Sequence, residues 1–226
     1  MLMKPRLVEI RQNVLKKNDL LAAELRHRFA DEGVFVISLV SSPGSGKTEF
    51  LEKTLRSLAQ NYRVMALVGD LATANDAERL AHAQVPVKQI TTGTICHLDA
   101  QMVTNALDEF DLADLDFLFI ENVGNLVCPS SYDLGENMRA VLLSVTEGED
   151  KPLKYPTIFN TADIAVITKM DIADAVGFDL EAAKLSIDSV RPGMEVIEVS
   201  AKTGEGMSGW FDLLTARARI RPLAAV

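Results

Sequence analysis

One stretch limits the fold of this chain more than any other. Residues 41–48 read Ser-Ser-Pro-Gly-Ser-Gly-Lys-Thr, between an apolar run at 34–40 and a helical pattern carried by Phe50, Leu51, Leu55 and Leu58. A buried strand, a glycine turn ending in Gly-Lys-Thr and a helix form the context of a phosphate-binding loop. Pro43, Gly44, Ser45, Gly46, Lys47 and Thr48 are the predicted cradle. Backbone N–H groups from Gly44 to Lys47 face one concavity, and the helix N-terminus adds partial positive charge. Lys47 is expected to reach the outer phosphates as a point charge, and Thr48 to ligate Mg²⁺ through its hydroxyl. Ser41 stands where such loops usually carry their first glycine. The chain is therefore expected to bind a nucleoside phosphate.

Beyond the loop the chain alternates in period. Strands are predicted at 64–68, 87–90, 117–120, 140–145, 164–168 and 196–199, and helices at 76–83, 98–110, 180–190 and 207–219. Alternation of this kind implies an α/β fold with a mostly parallel central sheet and helices on both faces. Such sheets bind ligands at the carboxyl ends of their strands. Residues 1–30 read as an N-terminal helical segment from the spacing of Leu7, Ile10, Val14, Leu21, Leu25 and Phe29, which Asn18-Asp19 can interrupt. Residues 31–221 form the phosphate-loop domain, and 222–226 read as a frayed tail. A net charge of −9 excludes a broad nucleic-acid footprint. No apolar run reaches membrane-spanning length, and 1–11 lack the pattern of a signal peptide. A soluble, cytoplasmic protein with no nucleic-acid or membrane partner is expected.

The base and the metal shell can be assigned from strand ends. Residues 168–171 read Thr-Lys-Met-Asp and 200–202 read Ser-Ala-Lys. Their order and type resemble the two base-recognition motifs of regulatory GTPases. Asp171 can accept from the ring N–H and exocyclic amine of guanine, whereas adenine would face it with a ring acceptor. The Lys169 stem can cover the base, and the Ala201 N–H, flanked by Ser200 and Lys202, can donate to the guanine carbonyl. Thr168 replaces the asparagine of that motif, offering one hydroxyl instead of an amide. Guanine choice is expected to survive with somewhat lower affinity. Asp70 and Glu121 also end strands, where a carboxylate can hold Mg²⁺ directly or through water, and the Gly124 N–H can meet the γ-phosphate. No glutamine or arginine stands out as a water-positioning residue or a finger, so slow hydrolysis of GTP is expected, with Lys47, Asp70 and Glu121 in the catalytic set.

The two cysteines need a separate explanation. Cys96-His97 closes the loop after the strand at 87–90, and Cys128-Pro129 lies just beyond Gly124. Two thiolates and an imidazole suit Zn²⁺ or Ni²⁺ and reject Mg²⁺. Two buried thiols acting as small hydrophobes, beside a core or capping histidine, are the more usual explanation of such a spacing.

Several stretches together resemble one family. Gly69-Asp70, Thr92-Gly93, Cys96-His97-Leu98-Asp99-Ala100 and Glu121-Asn122-Val123-Gly124-Asn125-Leu126-Val127-Cys128-Pro129 are similar to the HypB-type nickel-incorporation GTPases of hydrogenase maturation. Residues 41–48, 143–148 and 151–156 extend the similarity to nearly the whole chain. The resemblance implies a P-loop GTPase fold and a GTP-dependent homodimer. It further implies Ni²⁺ delivery to the [NiFe]-hydrogenase large subunit with a HypA-type partner, and a metal role for Cys96, His97 and Cys128. The sequence departs from the family at Thr168. It also shows neither the cysteine motif nor the histidine-rich tract of some members, its histidines being His27, His82 and His97, so high-capacity nickel storage is not expected. A urease-type nickel accessory GTPase shares the fold and task but pairs its metal ligands as Cys-Pro-His. A GTPase chaperone for cobalamin enzymes would not need the cysteine–histidine set. A metal scaffold that holds GTP without useful turnover is the alternative from another class.

Overall fold

In the computed structural model, residues 6–71, 80 and 83–218 are described, with side chains from residue 12 onward. The helix expected at 76–83 and the tail at 222–226 lie outside these residues, apart from Leu80 and Ala83. Helix α1 (Arg6–Glu32) leads into β1 (Phe35–Ser41), the phosphate loop and α2 (Lys47–Leu58). Strands β2 (Val64–Asp70) and β3 (Val87–Thr91) precede α3 (Ala100–Leu107) and β4 (Phe117–Glu121). Then come a 3₁₀ turn (Cys128–Ser131), β5 (Met138–Ser144), α4 (Lys151–Lys154), α5 (Pro156–Thr161) and β6 (Ile164–Thr168). A second 3₁₀ turn (Met170–Ile172), α6 (Ala173–Val176), α7 (Leu180–Val190), β7 (Glu195–Glu198) and α8 (Met207–Ala218) complete the described chain.

The strands form one seven-stranded parallel sheet in the order β3-β2-β4-β1-β5-β6-β7, as the alternating pattern predicts. Strand alternation sends Ile37 and Leu39 to one face, where Phe50, Leu51, Leu55 and Trp210 of α2 and α8 cover them. Val36 faces the other way, toward Ala22, Leu25 and Phe29 of α1 and Val103 of α3. Val40 shares that face and packs under α5 and α7 with Ile158, Phe159 and Ile187. Burying each large apolar side chain is worth roughly 1.5–3 kcal/mol. Trp210 buries its ring against Phe50 and satisfies its N–H on Thr54 Oγ1 at 3.1 Å. Among the described residues no helix is long and apolar enough to cross a membrane.

Two expectations shift. Helix α1 runs through Asn18-Asp19 without a break, because the buried Asn18 amide bonds to groups outside its own helix rather than competing for its backbone. Helix α3 starts at Ala100 rather than 98, since Asp99 caps it by accepting the Met102 N–H at 2.8 Å. The short helices α4 and α5 had no period long enough to be read from sequence.

Candidate functional site

Register decides which side chains meet the phosphate loop. Glu121 at the end of β4 pairs with Leu39 of β1, two residues before the loop begins. The loop leaves β1 at Ser41, turns through Gly44 at φ 74° and Gly46 at φ 90°, and enters α2 at Lys47. Left-handed Gly46 is the N-cap of α2, a conformation costly for any residue with a Cβ. Ser41 needs no glycine, because it is the last residue of the strand and its Oγ donates to the Ser42 carbonyl.

Lys47 Nζ and Thr48 Oγ1 both donate to Glu121 Oε1, at 2.9 and 2.8 Å. Glu121 is 1% exposed and its Oε2 has no partner among the described residues. A buried carboxylate oxygen left unpaired is costly, and a cation or its bound water would satisfy it. The buried Ser45 hydroxyl in the loop is also unpaired among the described residues. A hydroxyl, a carboxylate with a spare lone pair and a nearby Asp70 suit an oxygen-seeking ion such as Mg²⁺. Asp70 lines the same cavity of about 500 Å³ with Gly44, Lys47, Thr48 and Gly124. Gly124 lies against the loop so closely that a Cβ there would stand 3.0 Å from Pro43 Cα. Only a glycine brings its backbone to that position without pushing the loop.

Beyond α2 a second cavity is lined by Phe50, Thr168, Lys169, Asp171, Ala201 and Lys202. Ser200 Oγ donates to Asp171 Oδ1 at 2.7 Å and orients the carboxylate. Thr168 Oγ1 donates to the Ser45 carbonyl at 2.7 Å, and Lys169 Nζ to the Gly44 carbonyl at 2.7 Å. The base-side motif is thereby tied to the phosphate loop at two points.

At the β3 and β4 ends, one ligand atom each from Cys96, His97 and Cys128 lies within 4.8 Å of the others. The cysteines are thiols rather than a disulfide, with Sγ atoms 3.0 Å apart. The His97 ring packs at a tilt against Tyr132, with ring centroids 3.9 Å apart, and its Nδ1 is buried with no partner among the described residues. Burial lowers the His97 pKa below its ordinary value against the opposing charge of Asp99, keeping the imidazole neutral and able to ligate. Two thiols and a neutral imidazole converging on one point can hold a soft divalent ion.

The structure thus groups Lys47, Thr48, Asp70, Glu121 and Gly124 at one corner. Thr168, Lys169, Asp171 and Ala201 form a second, and Cys96, His97 and Cys128 a third. Sequence reasoning missed the residues that join them. Asn122 Oδ1 accepts the Leu98 and Val123 N–H groups, both at 2.9 Å. Asn125 donates to the Cys96 carbonyl at 3.2 Å and accepts the Val127 N–H at 2.8 Å. Both asparagines sit inside the motif that carries the resemblance, and their position there was the one signal the sequence offered.

Residues 35–198 match the family described as CobW/HypB/UreG, nucleotide-binding domain. The chain is 47% identical to the hydrogenase maturation factor HypB of Azotobacter chroococcum mcd 1, over 97% of this chain and 74% of that protein. It is also 47% identical to the protein of the same name from Escherichia coli K12, over 92% of this chain and 72% of that one. The crystal structure of HypB from Helicobacter pylori in complex with nickel superposes with a TM-score of 0.85. That match has 43% identity and covers 90% of this chain and 95% of that one.

Proposed function

The chain belongs to the HypB family of hydrogenase maturation factors, and from that premise we propose that it is a slow GTPase that carries nickel toward [NiFe]-hydrogenase. The observation that carries this reading is one strand end serving two sites. Glu121 holds Lys47 and Thr48 of the phosphate loop, while the next residue, Asn122, holds the segment of Cys96 and His97.

In this reading Lys47 exchanges Glu121 for the outer phosphate oxygens when GTP enters. The N–H groups of Gly44 to Lys47 and the Lys47 ammonium then stabilise charge on the transferring phosphoryl group, the largest contribution a protein makes to this reaction. Thr48 and Glu121, with Asp70, would hold Mg²⁺, whose chemistry is to neutralise charge across the β- and γ-phosphates. Asp171, oriented by Ser200, accepts from guanine, Lys169 covers the base and the Ala201 N–H donates to its carbonyl. Water attacks the γ-phosphorus, and GDP and inorganic phosphate leave; the sequence offers no evident water-positioning glutamine or arginine finger, so turnover is slow.

Nickel is cargo. Cys96 and Cys128 thiolates and the neutral His97 imidazole bind Ni²⁺ or Zn²⁺ and leave a position for an exchanging donor. The protein works as a GTP-dependent homodimer in the cytoplasm, with a HypA-type chaperone and the hydrogenase large subunit. Identity to hydrogenase factors, and a metal set not spaced as Cys-Pro-His, weigh against the urease-type alternative. Phosphate release with Lys47→Ala as control, and Ni²⁺ titration of a Cys96/Cys128 double alanine variant, test the two halves separately. No release above the Lys47→Ala background would leave a nucleotide-binding scaffold, and unchanged metal affinity would remove the metal role.

A further inference from the structure

The three soft ligands come from two segments far apart in sequence, and something must hold those segments together. One begins at Cys96-His97 and runs into α3 at Ala100. The other begins at Cys128 and runs through Tyr132 and Asp133. Asn18 of α1 bonds to both. Its Oδ1 accepts the Ala100 N–H at 2.9 Å, and its Nδ2 donates to the Asp133 carbonyl at 2.9 Å. The side chain is 4% exposed, so neither bond competes with bulk water.

Other contacts of α1 reinforce the same strap. Arg26 grips the Asp133 carboxylate with two bonds of 2.7 Å. Gly135 lies so close to α1 that a Cβ would stand 2.8 Å from the Ala22 carbonyl oxygen. Between the two segments the Tyr132 ring packs at a tilt against His97. A shift of the 132–135 stretch relative to α3 would therefore move the Tyr132 ring, the His97 imidazole and the Cys128 thiol against one another.

We propose that Asn18 is a positioning residue for the metal centre, a splint from α1 that sets the distance between the Cys96-His97 pair and Cys128. The inference deepens the metal reading and rests on it. Asn18→Leu keeps the volume and removes both bonds. Asn18→Asp keeps an acceptor for Ala100 but turns a carboxylate oxygen toward the Asp133 carbonyl. Arg26→Ala loosens Asp133 from a half-exposed surface position and should act in the same direction more weakly.

The test has two readouts on the whole chain. In the metal-free protein, a short bifunctional thiol reagent should bridge Cys96 and Cys128 rapidly in the wild type and slowly in the Asn18 variants. In titrations with Ni²⁺ alone, the variants should lose affinity by about 10-fold, the low end of the loss seen when a group bonded directly to a metal ligand is removed, because Asn18 acts through Ala100 and Asp133. Their thiolate-to-nickel absorption should shift, which a merely weakened fold would not produce. GTP affinity and near-ultraviolet circular dichroism check that each variant is folded. Wild-type bridging and wild-type nickel spectra in folded variants would overturn the inference while leaving the metal reading intact. Absence of the thiolate band in the wild type would overturn both.

Discussion

Asn122 Oδ1 accepts the Leu98 backbone N–H at 2.9 Å, so the residue after Glu121, which holds Lys47 and Thr48, is bonded to the residue after His97. The bond joins the two proposed sites by a shorter path than the chain from Gly124 to Cys128. When GTP draws Lys47 off Glu121, the end of β4 and the His97 segment are expected to move together. Ni²⁺ affinity should therefore differ between the GDP form and the form with a non-hydrolysable GTP analogue. Reciprocity requires metal to change nucleotide affinity by the same factor, about 5–150-fold for genuine coupling. Asn122→Ala should reduce that factor, and calorimetry at fixed protein concentration measures it. Equal affinities in both nucleotide states would leave two independent sites.

Lys47 and Glu121 form a buried ion pair, with side chains 10% and 1% exposed. Lys47→Ala should abolish hydrolysis. It should also destabilise the nucleotide-free protein by about 3 kcal/mol, because a buried carboxylate loses its cation. Glu121→Gln should abolish turnover with a much smaller loss of stability. Thermal melts beside phosphate release separate the two effects, and equal melting temperatures for both variants would contradict the pairing.

In the proposed reading guanine preference rests on Asp171, while Thr168 ties the base-side motif to the phosphate loop. Asp171→Asn should weaken GTP selectively, since losing a bond to a charged acceptor costs roughly 1.5–3 kcal/mol. Thr168→Val keeps the shape but leaves the Ser45 carbonyl without its side-chain donor. It should lower stability by about 1–3 kcal/mol and, by loosening the loop, weaken GTP and GDP alike. Competition of ATP against labelled GTP checks the first, and direct titration the second. Displacement by ATP as effective as by GTP would refute the guanine assignment.

At the opposite end of the sheet, Asp116 accepts the Arg63 backbone N–H at 2.7 Å and two guanidinium bonds of 2.9 and 3.2 Å. Burial alone would raise the Asp116 pKa, but the Arg63 bonds outweigh it and hold the carboxyl below its ordinary value. A carboxylate depressed in the folded state adds stability above its unfolded pKa and loses it as pH falls through the folded value. The contribution is therefore full at neutral pH and disappears in acid, below about pH 4. Asp116→Asn should lower stability at pH 7 and flatten the acid limb. Denaturant titrations from about pH 7 to pH 3 measure this, and parallel curves would exclude it.

The phosphate loop and the parallel sheet were legible in sequence because each follows from local patterns. Glycines that must take positive φ, a lysine at a helix start and a strand's apolar run all act within a few residues. Glu121 and Gly124 were legible from their place at a strand end, but spacing alone left Cys96, His97 and Cys128 open to a packing role, and only the resemblance favoured a metal. Their convergence within 4.8 Å was decided by the strand order, which places β2 between β3 and β4 and brings both loops to one edge. Sequence patterning suggested a break at Asn18, a polar residue in a helix. The tertiary structure made it a buried link between two distant backbones, because an amide without local competition can satisfy donor and acceptor at once. Such long-range hydrogen bonds have no period and no spacing, so only the folded chain determines them.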